Sequence, residues 1–184
     1  MKNISAPLSA EIIRSLRAGD EILLSGTIYT ARDAAHKRLI SLLENGEKLP
    51  VDLSGQVLYY TGPTPPRPGM AIGSAGPTTS SRMDKYTPSL AAATGLGGII
   101  GKGNRSEEVI KSLKDNTCVY FAAVGGAGAL LARQIKSATV VAYPDLGPEA
   151  IYKLEVMGFP LIVAIDCEGN NLYVEGPRKY RKQS

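Results

Sequence analysis

The sequence predicts an α/β or layered α+β domain, and two observations carry that expectation. Short apolar runs of strand character alternate with helical segments of roughly 9 to 15 residues along the whole chain. The 184 residues, 43% hydrophobic and 21% charged, suit one domain with a sizeable core and contain no internal repeat or low-complexity segment.

Ser9 is placed to N-cap a short helix over Ala10–Ala18, with Ile12, Ile13 and Leu16 on one face and Gly19 closing it. Asp20–Tyr29 reads as a strand interrupted at Ser25-Gly26, where a bulge or close backbone approach is expected. Thr30-x-x-Asp33 has the form of a capping box for the clearest helix of the chain, Ala31 to Asn45. Its buried stripe is Ala35, Leu39, Leu42 and Leu43, and Gly46 ends it. Gln56–Tyr60 is a short strand. The four prolines of Thr61–Met70 forbid helix and central strand, so that run is an extended, stiff loop. A helix over Tyr86–Thr94 starts near Thr87-Pro88 and stops at Gly95. Gly97–Gly101 is a small buried strand leading to a helix capped by Asn104 or Ser106. Thr117–Val124 is an apolar strand, turned by Gly125–Gly128 into a helix over Ala129–Lys136. Ala138–Tyr143 reads as a strand and Gly147–Met157 as a helix. Pro160–Asp166 and Asn171–Val174 read as a closing hairpin over Cys167–Asn170.

Composition excludes several classes. No apolar run approaches the roughly 20 residues of a membrane span, and Met1–Pro7 lacks the regions of a signal peptide. Cys118 and Cys167 are too few and too far apart for a zinc site or a disulfide framework, so a reducing cytoplasm is the default. The net charge of +4 is local. Residues 175–184 form a basic tail with Arg178, Lys179, Arg181 and Lys182, and removing these four from 21 leaves 17 basic against 17 acidic residues. With no Trp and no RNA-binding signature, nucleic acid is not an expected partner. The tail suits a solvated or partner-docking end.

Three stretches carry candidate chemistry. Gly76–Asp84 (GPTTSSRMD) sets two threonines, two serines and Arg82 behind a Gly-Pro turn. Hydroxyls, backbone N–H groups and a guanidinium can converge there on a small anion; the plain alternative is a polar surface turn. Arg32 falls in the first turn of its helix, where the dipole disfavours a cation unless an anion shares the place or a carboxylate such as Asp33 pairs with it. The single histidine, His36, lies one turn further on the same side, either packed or functional. Lys102 stands between Gly101 and Gly103 at a strand end, without the spacing of a phosphate loop or a dinucleotide fingerprint. Several cations without metal ligands suit a small dicarboxylate better than a nucleotide.

Ser25–Arg38 (SGTIYTARDAAHKR), Tyr60–Pro65 (YTGPTP), Gly76–Asp84, Gly101–Gly103 (GKG) and Gly125–Leu130 (GGAGAL) occur in that order over roughly Leu8 to Val174. Together they resemble the beta subunit of class I, iron–sulphur fumarate hydratases and L-tartrate dehydratases, equivalent to the C-terminal domain of the single-chain enzymes. The resemblance implies a swivelling-domain fold of β/β/α layers, with a mixed sheet and flanking helices. It implies an alpha subunit partner, in an assembly of two alpha and two beta subunits, that holds a [4Fe–4S] cluster through three cysteines; this chain would hold no metal. The implied activity is reversible hydration/dehydration of a small dicarboxylate, hydration of fumarate to malate first and dehydration of tartrate to oxaloacetate second. Arg32, Arg82 and Lys102 would bind the substrate carboxylates, with Thr79 beside them. Thr78 matches the position of the base that removes the C3 proton, and Arg82 and Lys102 would stabilise the resulting charge. The general acid would come from the alpha subunit. A reading of another class is a non-catalytic anion-binding or regulatory module using the same pocket.

Overall fold

A computed structural model describes residues 1–66, 68–77, 79–123 and 128–180. Among them seven strands form one mixed sheet: β1 (Lys2–Ala6), β2 (Glu21–Thr30), β3 (Val57–Tyr59), β4 (Gly98–Gly101), β5 (Val119–Ala123), β6 (Ile135–Ala142) and β7 (Ile151–Ile165). The helices are α1 (Ala10–Ser15), α2 (Asp33–Glu44), α3 (Thr87–Thr94), α4 (Glu107–Asp115), α5 (Gly128–Arg133) and α6 (Leu172–Tyr180). Strand order is β1-β2-β3-β4-β5-β7-β6, with β7 also pairing β2 from Glu21–Ile162 to Tyr29–Lys153. That second pairing closes β2, β3, β4, β5 and β7 into a five-stranded barrel. The α/β class and the mixed sheet are as expected; closure is what a layered picture omits.

Side chains along the barrel strands alternate between two cores, as the two-residue period of a strand requires. Ile28, Val57, Tyr59, Ile100, Val119 and Phe121 join one buried cluster, to which α1 adds Ile13. Leu58, Tyr60, Ile99 and Tyr120 point the other way, against Leu39 of α2, Leu90 of α3 and Val109 and Leu113 of α4. The helices α2, α3 and α4 therefore pack outside the barrel.

Local chemistry explains the boundaries. Ser9 Oγ accepts the Ile12 N–H at 3.2 Å and Ser106 Oγ accepts that of Val109 at 3.3 Å, each capping its helix. Asn104 is not the cap of α4; its Oδ1 accepts instead from Arg105 N and Asn171 Nδ2. Pro88 opens α3 and Gly95 closes it. The register of β2 against β7 shifts between Leu24 and Gly26, the expected bulge.

Several expectations are corrected. Thr30 is not a helix cap: it ends β2, where its Oγ1 accepts the Tyr152 N–H at 3.1 Å. The helix expected from Ala31 begins at Asp33, with Arg32 as the N-cap residue. The α-helix expected over Gly147–Met157 does not form: its first residues end a 3-10 helix, Pro144–Glu149, and Ile151–Ile165 is the strand β7, paired by β2, β5 and β6. Such pairing outweighs a local pattern of apolar residues three apart. Asn171 makes only an isolated bridge to Ile165, and α6 replaces the second arm of the hairpin. Residues up to Tyr180 of the basic tail belong to α6, whereas Arg181 and Lys182 lie outside the described residues. The helix expected over Ala129–Lys136 stops at Arg133, since Ile135 already pairs with Val156. Gly125 and its two successors also lie outside the described residues. The strand β1 was not anticipated. No helix among the described residues is long and apolar enough to cross a membrane.

Candidate active site

Strands β2, β3, β4 and β5 run parallel, so their carboxyl ends share one rim of the barrel. Thr30, Tyr59, Ile100 and Phe121 are successive partners in register. The ladder continues one residue further, with Ala31 N donating to Tyr59 O at 3.1 Å and Tyr60 N to Ile100 O at 2.9 Å. Arg32, Thr61 and Lys102 are thus the next residues beyond three adjacent strand ends. Two strand spacings put the backbones of Arg32 and Lys102 on the order of 10 Å apart. The carboxyl ends of parallel strands are the usual ligand-binding end, in barrels as in open sheets.

The GPTTSSRMD stretch is fastened across the same rim. Tyr59 OH donates to Ala75 O, and Thr61 Oγ1 donates to Gly76 O at 2.7 Å. Lys102 N donates to Ser80 Oγ at 3.0 Å, holding the 3-10 turn Ser80–Met83 against the end of β4. The approach is so close that a Cβ on Gly101 would stand 2.5 Å from Ser80 Oγ and 2.9 Å from Ser80 Cβ. Arg82 projects from this turn, half-exposed, with Nε 3.3 Å from Asp33 Oδ2 at the start of α2. Thr79 is exposed as the residue before the turn, and Thr78 lies outside the described residues.

Arg32 is corrected from a first-turn residue to the N-cap, in extended backbone conformation. Its aliphatic stem lies against Gly62, where a Cβ would come within 2.9 Å of Arg32 Cδ. Of the two roles left open for it, a carboxylate pairing is present. Glu149 Oε1 is 3.5 Å from Nη2, longer than the 2.7–2.9 Å of a charge-assisted bond. Arg32 Nε is buried without a partner, so donor capacity remains. The other oxygen of Glu149 accepts the Ala34 N–H at 2.9 Å, filling the anion position at the helix N-terminus. An Arg38–Asp145 fork, 2.9 and 2.5 Å, ties the segment bearing Glu149 to α2.

His36 is fully buried and does not face the rim as a free base. Its Nδ1 lies 2.9 Å from the Arg32 carbonyl, which only accepts, so Nδ1 carries the proton and Nε2 is bare. Nε2 is buried without a partner. The ring stands edge-on to Tyr60 at 5.1 Å and stacks on Tyr86 at 5.7 Å. Burial pushes its pKa down to about 4, against weaker raising effects of the Arg32 carbonyl and Asp33. Its contact with the Arg32 carbonyl ties the ring to the start of α2.

One group was missed. Arg105, with its side chain 2% exposed, donates to Asp84 Oδ1 at 2.6 Å and to Lys102 O at 3.2 Å, and lies 5.0 Å over the Tyr120 ring. Asp84 Oδ2 accepts the Ser106 N–H at 2.9 Å. Burial raises the Asp84 pKa, while the Ser106 N–H and the Arg105 charge oppose it. Asp84 and Arg105 stand 21 residues apart, which no local pattern signals.

An iron–sulphur cluster needs converging thiolates. Burial pushes the Cys118 thiol up to about 12. Cys167, half-buried and also raised by burial, directs Sγ at the Ile13 carbonyl, 3.8 Å away. Among the described residues no three of His, Cys, Asp and Glu gather as metal ligands. The described residues offer no set of converging thiolates that would fit a cluster.

Residues 2–176 match the model of the family described as Fumarase C-terminus. A chain of Methanocaldococcus jannaschii, provisionally named subunit beta of an L(+)-tartrate dehydratase, is 42% identical over 94% of this chain and 91% of its own length. The aerobic class I fumarate hydratase of Escherichia coli K12 is 41% identical over 94% of this chain, and fumarate hydratase 2 of Leishmania major 40% over 84%. The chain spans only 31% and 28% of those two longer relatives. The shared length and the family match agree: the chain belongs to the Fumarase C-terminus family, that of the beta subunits and C-terminal domains of class I fumarate hydratases and tartrate dehydratases.

Proposed function

We propose that this chain is the beta half of a hydro-lyase that reversibly adds water to, or removes it from, a small dicarboxylate: hydration of fumarate to malate in the first instance, and dehydration of tartrate to oxaloacetate as the runner-up. The single observation carrying this reading is the register that sets Arg32 and Lys102 just past the ends of β2 and β4, on either side of β3, with Arg82 paired to Asp33 from a turn fastened to Lys102 N. Guanidinium forks and an ammonium are the groups that hold carboxylates and the extra charge of a carbanion-like intermediate. Arg32 would take one substrate carboxylate, displacing the long contact to Glu149; Arg82 and Lys102 would take the other, with Thr79 alongside.

Removal of the C3 proton is assigned to Thr78 by its place in the motif. A free alcohol is too weakly acidic to be ionised near neutrality. The assignment therefore requires the neighbouring cations to lower its pKa, or the hydroxyl to relay the proton onward. The leaving hydroxyl and its acid belong to an alpha subunit holding the iron–sulphur cluster, and no step on this chain passes through that cluster. Two copies of each subunit, working in the cytoplasm, complete the proposed enzyme.

The test is anaerobic co-expression with a cluster-bearing alpha subunit, followed by hydration and dehydration assays on fumarate and L-tartrate. Turnover by the complex and none by the isolated chain is the expected result. Dicarboxylate binding without turnover by an intact, cluster-loaded complex would favour a non-catalytic anion-binding module instead.

A further inference from the structure

Two of the proposed substrate-binding groups sit on loops that do not touch through any regular element. Arg82 rides on the 3-10 turn after the GPTTSS stretch, and Lys102 on the turn after β4. What joins the loops is a set of polar contacts centred on Asp84 and Arg105. Lys102 N donates to Ser80 Oγ, Ser106 N donates to Asp84 Oδ2, and Arg105 donates from Nη1 to Asp84 Oδ1 and from Nη2 to Lys102 O. The guanidinium thus spans both loops at once, gripping the carboxylate two residues beyond Arg82 and the carbonyl of Lys102 itself. Tyr120 supports it from the barrel, its ring beneath Arg105 and its hydroxyl donating to Gly103 O at 2.9 Å. With the side chains of Arg105 and Asp84 only 2% and 13% exposed, this pair is far better shielded from water than the contacts of Arg32 and Arg82.

We infer that Arg105 and Asp84 are positioning residues, which set the spacing of Arg82 and Lys102 and so match the site to the separation of two carboxylates. The inference rests on the proposed dicarboxylate-binding role of those two cations. A buried ion pair is a poor source of net stability, but it fixes geometry when its groups are held in several directions. Here both Asp84 oxygens and both Arg105 Nη atoms are engaged, while Arg105 Nε is buried without a hydrogen-bond partner. Lysine cannot replace Arg105, because a point charge does not bridge two acceptors held in different directions.

The experiment has two arms. Arg105→Lys keeps a compensating charge for Asp84; the pair Asp84→Asn, Arg105→Gln leaves no unpaired charge and serves if the first variant does not fold. In the isolated chain, amide hydrogen exchange is followed at Lys102 and Ser106, with Tyr120 and Phe121 of β5 as the reference. Exchange at the two loop amides is expected to quicken at least tenfold while the reference strand is unchanged. In the complex with the alpha subunit, kcat/KM for the dicarboxylate is expected to fall at least tenfold, mostly through KM. A merely structural defect lowers the active fraction, hence kcat, and leaves KM alone. The loss from Arg105→Lys should shrink to less than half, as a logarithm, when Lys102 is already alanine, since residues acting through one another are not additive. Unchanged loop exchange, an unchanged KM, or full additivity with Lys102→Ala each overturns the inference. If the wild-type complex turns over no dicarboxylate, the functional reading fails on its own, and the exchange arm still decides whether Arg105 holds the two loops together.

Discussion

His36 makes acid sensitivity a measurable consequence of the fold. The unfolded chain protonates this imidazole near its ordinary value of 6.5, whereas burial against Tyr60 and Tyr86 holds the folded form neutral down to about 4. The unfolded state therefore binds more protons between those two values, and stability falls as pH falls through that window. Integrating the difference in bound protons from pH 7 to pH 5 gives about 2 kcal/mol lost through His36 alone. The loss approaches completion near pH 4, below which both states are protonated. Replacing His36 by glutamine keeps an amide able to donate to the Arg32 carbonyl and removes the titration. Urea unfolding of wild type and His36→Gln at pH 7 and pH 5 isolates the effect, because every other titrating group is common to both. The wild type should lose about 2 kcal/mol more than the variant between the two conditions. Parallel losses would refute the reasoning and mean that Nε2 finds a proton partner in the folded protein.

Other substitutions probe the rim. Gly101→Ala forces a methyl to within 2.5 Å of Ser80 Oγ, so overpacking of about 1–3 kcal/mol should lower Tm by several degrees; an unchanged melt would show that the turn yields freely. Arg82→Lys, assayed in the complex, should cost at least ~2 kcal/mol in kcat/KM, since lysine cannot form the bidentate fork. Near-wild-type kinetics would remove Arg82 from the site. Thr78→Ala should cut kcat by roughly a hundredfold or more with little change in substrate affinity, and Thr78→Ser should retain much of the rate. A mild Thr78→Ala with a damaging Thr79→Ala would move the role one residue along; if both are mild, the base lies on the partner.

The parts of the fold legible in the sequence are those governed by near neighbours. Pro88 and Gly95 delimit α3, Ser9 and Ser106 cap their helices, and Ala35 and Leu39 mark the buried face of α2. The cations at the strand ends were legible for the same reason, each standing at a local change from strand to turn. Partners distant in sequence were not. The strand β1 is largely exposed at the sheet edge and has no apolar alternation; only its pairing with β2 defines it. Ile151–Met157 has apolar spacing compatible with a helix until β2 and β6 are laid beside it. Glu149 and Arg105 entered the site through contacts spanning 115 and 21 residues, respectively, which leave no mark on the local pattern. Placing Thr30 as a helix cap failed because its hydroxyl serves β7 instead.

The account rests on two carboxylates being held by cations of this chain, and the assembled complex tests that directly through its kcat/KM for fumarate against the monocarboxylate crotonate. Losing one carboxylate removes at least two charge-assisted hydrogen bonds, so roughly 3 kcal/mol or more should be lost, a factor above about a hundred in favour of fumarate. Rates for the two substrates within tenfold of each other would contradict the assignment of Arg32, Arg82 and Lys102 as a dicarboxylate clamp.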